Sequence, residues 1–175
     1  VAAANEGAWI RKAAAPAEIL TVSENNRPIA FPYSKLMVAN SSVNQGAAFL
    51  VASLAEARRL GIAEDRLIYV GMGAAAKEPA SILHRDRYDG SVSMETSITR
   101  TLQLNQLSVD DLDMVELYSC FPCVPKMARR TLGWPVDKPA TVFGGLTFGG
   151  GPIANYMSHA VVSMVEKLRH EGRYG

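Results

Sequence analysis

Gly144-Gly145-Leu146-Thr147-Phe148-Gly149-Gly150-Gly151-Pro152 is the stretch on which the reading of this chain turns. Five glycines in nine positions point to unusual backbone dihedrals, or to very close approach of another group. Just before them, Thr141-Val142-Phe143 is a short run of strand formers. Just after, Pro152 suits the first turn of a helix. Tyr156, Ala160, Met164 and Leu168 then recur every four residues and mark one face of a long helix, expected over about 152–168. Gly149, Gly151 and Ala154 also satisfy G-x-G-x-x-A, the form of a dinucleotide-binding turn. The acidic residue expected about twenty positions on falls at the end of the sequence, and no βαβ unit can be completed around the motif.

Strand–helix alternation extends upstream of the glycines. Residues 47–52 and 67–70 are short apolar runs, expected as buried strands, and 113–117 reads as another. Ser53, with Glu56 three residues later, has the form of a capping box for a helix through Leu60, ended by Gly61. Met94, Ile98 and Leu102 repeat at a spacing of four, an amphipathic helix. Residues 126–132 read as a helix closed by Gly133. The pattern predicts a layered α/β/α domain with a mixed sheet over residues 40–175, lacking its final strands. Residues 1–39 carry no such period. Pro16, Pro28 and Pro32, with Glu24-Asn25-Asn26-Arg27, break it, and a loop-rich arm leading into the domain is expected. An incomplete sheet also implies an exposed apolar edge.

One globular domain suits 175 residues with 48% hydrophobic content. A formal net charge of +1, with scattered basic residues, leaves no footprint for nucleic acid. No apolar run reaches the ~18 residues of a spanning helix. The first residues lack the basic start and apolar stretch of a secretory leader. Two cysteines exclude a disulfide scaffold, and a reducing cytoplasm is the expected compartment.

Three segments can carry chemistry. Ser41-Ser42-Val43-Asn44-Gln45-Gly46-Ala47-Ala48 leads small polar residues into an expected strand. It can offer hydroxyls and N–H groups to an amide or a phosphate, and an ordinary strand-entry loop has the same composition. Tyr118-Ser119-Cys120-Phe121-Pro122-Cys123 follows an expected strand end, where open α/β sheets place their ligands. The Tyr118 phenol can donate or accept a proton. Cys120 and Cys123 form a single C-x-x-C pair without a second pair or a suitably spaced His, so reduced, metal-free cysteines are expected, with Cys120 buried. The glycine stretch is the third segment. His159, three residues after Tyr156, is expected to be a packed helix residue.

Together these segments resemble the thiolase superfamily, over about residues 33–170. Ser41-Ser42-Val43-Asn44-Gln45-Gly46-Ala47-Ala48 resembles the family's S-G-L-N-D-G-A-A, which touches the pantetheine arm of coenzyme A. Val115-Glu116-Leu117-Tyr118-Ser119-Cys120-Phe121 resembles the stretch ending Asn-Glu-Ala-Phe in biosynthetic thiolases, and is closer still to His-Asp-Cys-Phe in sterol-carrier-type thiolases. Gly144-Gly145-Leu146 through Gly150-Gly151-Pro152 resembles G-G-x-x-x-x-G-H-P. The resemblance implies the C-terminal half of a thiolase-like acetyl-CoA acetyltransferase, cut short at both ends, with the nucleophilic cysteine upstream and the second reactive cysteine downstream.

The departures are specific. Tyr118 stands where the family has the Asn or His that binds the thioester oxygen, and Gly151 stands where it has the catalytic His. A glycine cannot accept a proton, so ordinary thiolysis by the chain alone is not expected. Related proteins of the lipid-transfer and steroid-degradation group show similar departures. Some are aldolases that use tyrosines on a hydroxyacyl-CoA and work with an OB-fold partner.

What the resemblance implies is an enzyme of lipid metabolism that makes or breaks carbon–carbon bonds on coenzyme A thioesters, with no covalently bound cofactor and no metal. Tyr118 and Tyr156 are its expected catalytic residues; Ser41, Ser42, Gly149, Gly150 and Gly151 are expected to contact coenzyme A. Tyr118 should face a cleft shared with Gly149–Gly151, where the missing imidazole leaves room for a phenol or a branched substrate. A homodimer is the expected assembly. The alternatives are a non-catalytic thiolase-fold binding subunit and, resting on G-x-G-x-x-A alone, a nicotinamide-dependent dehydrogenase.

Overall fold

A computed structural model describes residues 1–175. Its regular elements are helix α1 (Pro16–Leu20), the hairpin strands β1 (Pro28–Ala30) and β2 (Tyr33–Ser34), and helices α2 (Leu54–Arg59), α3 (Val92–Asn105), α4 (Cys123–Leu132) and α5 (Tyr156–Leu168). The fold is a helix-rich α/β arrangement whose only sheet is the small open β1–β2 pair.

Local chemistry accounts for the helices. Ser53 accepts the Glu56 N–H at 3.2 Å and starts α2. Ser91 accepts the Met94 N–H at 3.1 Å and starts α3. Each side-chain oxygen satisfies a donor that the first helical turn leaves unpaired. Gly133 ends α4, and the Trp134 N–H folds back to the Arg129 carbonyl at 3.0 Å. Helices α3 and α4 pack together.

The last helix begins later than its apolar period suggests. Residues 153–155 form a turn, closed by the Asn155 N–H on the Pro152 carbonyl at 3.1 Å. Ala154 there has φ +61°, outside the helical region, so α5 starts at Tyr156. Its register is the expected one: Tyr156, His159, Ala160 and Ser163 are buried, and Met164 is half-buried.

The four expected strands do not form. Segments 47–52, 67–70, 113–117 and 141–143 carry no ladder. Only isolated bonds touch them, such as Leu117 N–H to the Ala140 carbonyl at 2.9 Å and Asp113 N–H to the Tyr174 carbonyl at 3.0 Å. An apolar run becomes a strand only when a neighbour supplies a continuous opposite edge, and these runs meet at most single backbone bonds. Leu50, Val51 and Val70 are exposed as a result. The chain exposes 11633 Å², whereas a compact monomer of this mass exposes about 8,300 Å². The expected uncovered apolar surface is therefore present.

What core there is sits around the glycine stretch. Phe143, Leu146, Tyr156 and Ala160 form one buried cluster, with Ala39 and Cys120 packed against it. Residues near the N-terminus reach into it. The Trp9 and Ile10 N–H groups donate to the Gly149 and Phe148 carbonyls at 2.9 and 2.8 Å. Ala39 N–H reaches the Cys120 carbonyl at 3.0 Å, and Asn40 N–H the Leu146 carbonyl at 3.0 Å. Residues 38–40 thereby join the Tyr118 segment to the glycine turn. No helix is long and apolar enough to cross a membrane.

Candidate active site

Glu116 is the hub of the polar cluster beneath Tyr118. Its Oε2 accepts the Val142 N–H at 2.8 Å, the Phe143 N–H at 2.9 Å and the Thr141 hydroxyl at 2.7 Å. Its Oε1 accepts the Tyr156 hydroxyl. Thr141 Oγ1 in turn accepts the Gly144 N–H at 2.8 Å and the Gly145 N–H at 3.1 Å. Ser119 Oγ accepts the Leu146 N–H at 3.0 Å. The residues after Thr141 can turn this sharply because Gly144, at φ +123°, adopts a backbone that side chains disfavour.

The two tyrosines meet here in different states. The Tyr156 side chain is 3% exposed, and its phenol stays protonated far above the ordinary tyrosine range. Burial is the main cause, and the Glu116 carboxylate adds to it by its charge and by accepting the hydrogen bond. The Tyr118 side chain is 45% exposed. Its ring lies edge-on to Tyr156, with centroids 5.6 Å apart at 81°, and Phe143 flanks Tyr156 at 5.6 Å. One tyrosine is fixed and occupied; its neighbour is open to solvent.

The glycines do not line this opening. Gly149, Gly150 and Gly151 are buried. The Gly149 carbonyl accepts Trp9 N–H and Gln45 Nε2, each at 2.9 Å, and the Gly151 N–H donates to the Asn40 carbonyl at 2.8 Å. Gly150, at φ +109°, runs against Gln45: an added Cβ would lie 2.0 Å from Oε1. A side chain at residue 151 would meet close neighbours. A Cβ there would sit 3.3 Å from the Asn40 carbonyl oxygen and 3.4 Å from both Ala39 Cβ and the Leu146 carbonyl oxygen. Backbone thus lies close against the residue where the thiolase resemblance puts a histidine. A dinucleotide reading fails on the same facts, since no paired strand leads into the turn and the Gly151 amide is engaged.

Ser41 and Ser42 lie exposed in a segment without regular secondary structure, with the Ser42 N–H on Asn40 Oδ1 at 3.2 Å. Cys120 and Cys123 are both free thiols. Cys120 is half-buried against the core rather than fully buried, and Cys123 is exposed at the start of α4. His159 is buried, with its ring 5.4 Å from Phe143 and its Nε2 unpartnered. Burial lowers its pKa, which keeps the imidazole neutral.

Glu116 and Thr141 were not singled out by sequence, although both stood inside quoted segments. The available signal was a carboxylate inside an otherwise apolar run, Met114-Val115-Glu116-Leu117, since a carboxylate there needs several donors.

No family model matches the chain. No curated protein matches it either. Among solved structures, the chain is similar to a monomeric SCP2-thiolase like protein type 1 from Mycobacterium smegmatis, with 35% sequence identity and a TM-score of 0.88. The similarity covers 97% of this chain and 38% of that one, so the chain spans about two fifths of that protein's length. That protein is described as a monomer, which lends no support to the homodimer expected from sequence. Over nearly its whole length, the chain has the thiolase-like, sterol-carrier-type fold.

Proposed function

We propose that this chain is the acyl-CoA-handling part of a thiolase-like enzyme that works on carbon–carbon bonds of coenzyme A thioesters, with Tyr118 as the proton-transferring group. The carrying observation is the pairing of an exposed Tyr118 with a buried Tyr156 held by Glu116. A phenol placed this way can protonate a thioester enolate or take the proton of a β-hydroxyl. Tyr156, committed to Glu116, supports Tyr118 rather than exchanging protons with substrate. Ser41 and Ser42 supply hydroxyls for the pantetheine arm, and Gly149, Gly150 and Gly151 contribute by letting chain segments approach beneath it. In the retro-aldol form of this reading, the assembly includes an OB-fold partner.

A second reading, a non-catalytic binding subunit related to lipid-transfer proteins, is favoured by Gly151, which offers no base where the thiolase resemblance puts a histidine. Calorimetric titration of the purified chain with a coenzyme A thioester tests the element common to both. Saturable binding, weakened by the double substitution Ser41→Ala and Ser42→Ala, is expected. Heat signals no different from dilution would remove both readings. Thiolysis of acetoacetyl-CoA separates the chain from ordinary thiolases, and no turnover is expected.

A further inference from the structure

None of the ion pairs of the chain involves Glu116. Its carboxylate is held by hydrogen bonds alone, from two backbone N–H groups and two hydroxyls. These donors come from both ends of one stretch. Thr141, Val142 and Phe143 lead into the glycine turn, and Tyr156 opens the helix that follows it. Glu116 thus ties the entry and the exit of residues 141–156 to the segment that carries Tyr118.

Residues 116 and 118 are two apart in the irregular segment that leads to α4. Tyr156 bridges them: its hydroxyl is on Glu116, and its ring is against Tyr118. The Tyr156 ring has little freedom, with Phe143 on another side of it. An exposed phenol beside such a fixed ring takes its orientation from it.

We propose that Glu116 is the positioning residue of this site, setting the orientation of the Tyr118 phenol through Tyr156 while holding the glycine turn closed. The inference rests on the reading of Tyr118 as the acting group for its meaning, but not for its test. Coenzyme A thioester itself is bound elsewhere, by Ser41 and Ser42 in that reading, so Glu116 acts without touching it.

The experiment is NMR of the full chain carrying [13Cζ]-tyrosine, which gives one resonance for each of the six tyrosines. Tyr118→Phe and Tyr156→Phe assign the two of interest. Glu116→Gln keeps the shape and removes the charge; Glu166→Gln, at an exposed position of α5, is the control. Glu116→Gln is expected to move both the Tyr156 and Tyr118 resonances, while Glu166→Gln moves neither. Tyr156→Phe cuts only the hydroxyl end of the link and is expected to move Tyr118 even if Glu116→Gln does not fold. A Tyr118 resonance unmoved in a folded Glu116→Gln or Tyr156→Phe chain would overturn the proposal. If Tyr118 moves but Tyr118→Phe leaves turnover intact, the positioning role stands and the catalytic reading of Tyr118 falls.

Discussion

The Tyr156 hydroxyl, at the first residue of α5, donates to the Glu116 carboxylate forty positions earlier in the chain. This bond ties the start of α5 to the segment that carries Tyr118. A hydrogen bond to a charged acceptor is worth about 1.5–3 kcal/mol. Tyr156→Phe should therefore lower the unfolding free energy by roughly that amount, measured by urea denaturation near neutral pH.

Tyr156 also gives the fold an alkaline limit. Its folded-state pKa is raised above the ordinary value of 10.0 by burial and by Glu116. The stabilising contribution is complete below the unfolded pKa and is lost as pH rises towards and through the folded one. Stability should fall steadily above about pH 10, and Tyr156→Phe should flatten that limb in melts taken across the alkaline range. An identical alkaline slope in the variant would contradict the burial of this phenol.

His159 supplies the acidic counterpart. Burial holds its folded pKa below the ordinary 6.5, so the unfolded chain takes up the proton first. Stability should drop as pH falls through about 6.5 and below. His159→Phe keeps a ring against Phe143 without a titrating group and should show a shallower decline between about pH 6.5 and 5.

The glycine turn should tolerate no side chain at Gly144. Its φ of +123° is unfavourable for any other residue, and an added Cβ would lie 2.7 Å from Ala2 Cα. Gly144→Ala should destabilise by about 2–5 kcal/mol, combining backbone strain with overpacking. Gly151→His meets milder crowding, at 3.3 Å from the Asn40 carbonyl oxygen. It should lower the melting temperature by less than Gly144→Ala does. A melting temperature equal to that of the unchanged chain would show that residue 151 has room for a side chain.

The helices were legible in sequence because their signals are local. Ser53 caps α2 as its spacing to Glu56 suggests, and the four-residue recurrence of Tyr156 and Ala160 gives the buried face of α5. The start of α5 was not legible, since it depends on a positive φ at Ala154, which no propensity announces. The strands failed for a different reason. Residues 47–52 have the right composition, but pairing requires a partner that composition does not supply. In the site, Tyr118 and Tyr156 were visible as phenols near the glycines. Their junction at Glu116 was not, because contacts between residues 116, 141 and 156 are long-range.

Turnover of a β-hydroxyacyl-CoA by the protein with Tyr118 and with Tyr118→Phe is the most direct test of the central claim. The substitution removes one exposed hydroxyl and leaves the ring against Tyr156, so the melting temperature serves as a control for the fold. A fall in turnover of about 100-fold or more, with the melt unchanged, is the predicted result for a proton-transferring phenol. Equal turnover by the two proteins would contradict it and leave Tyr118 as a residue that only packs.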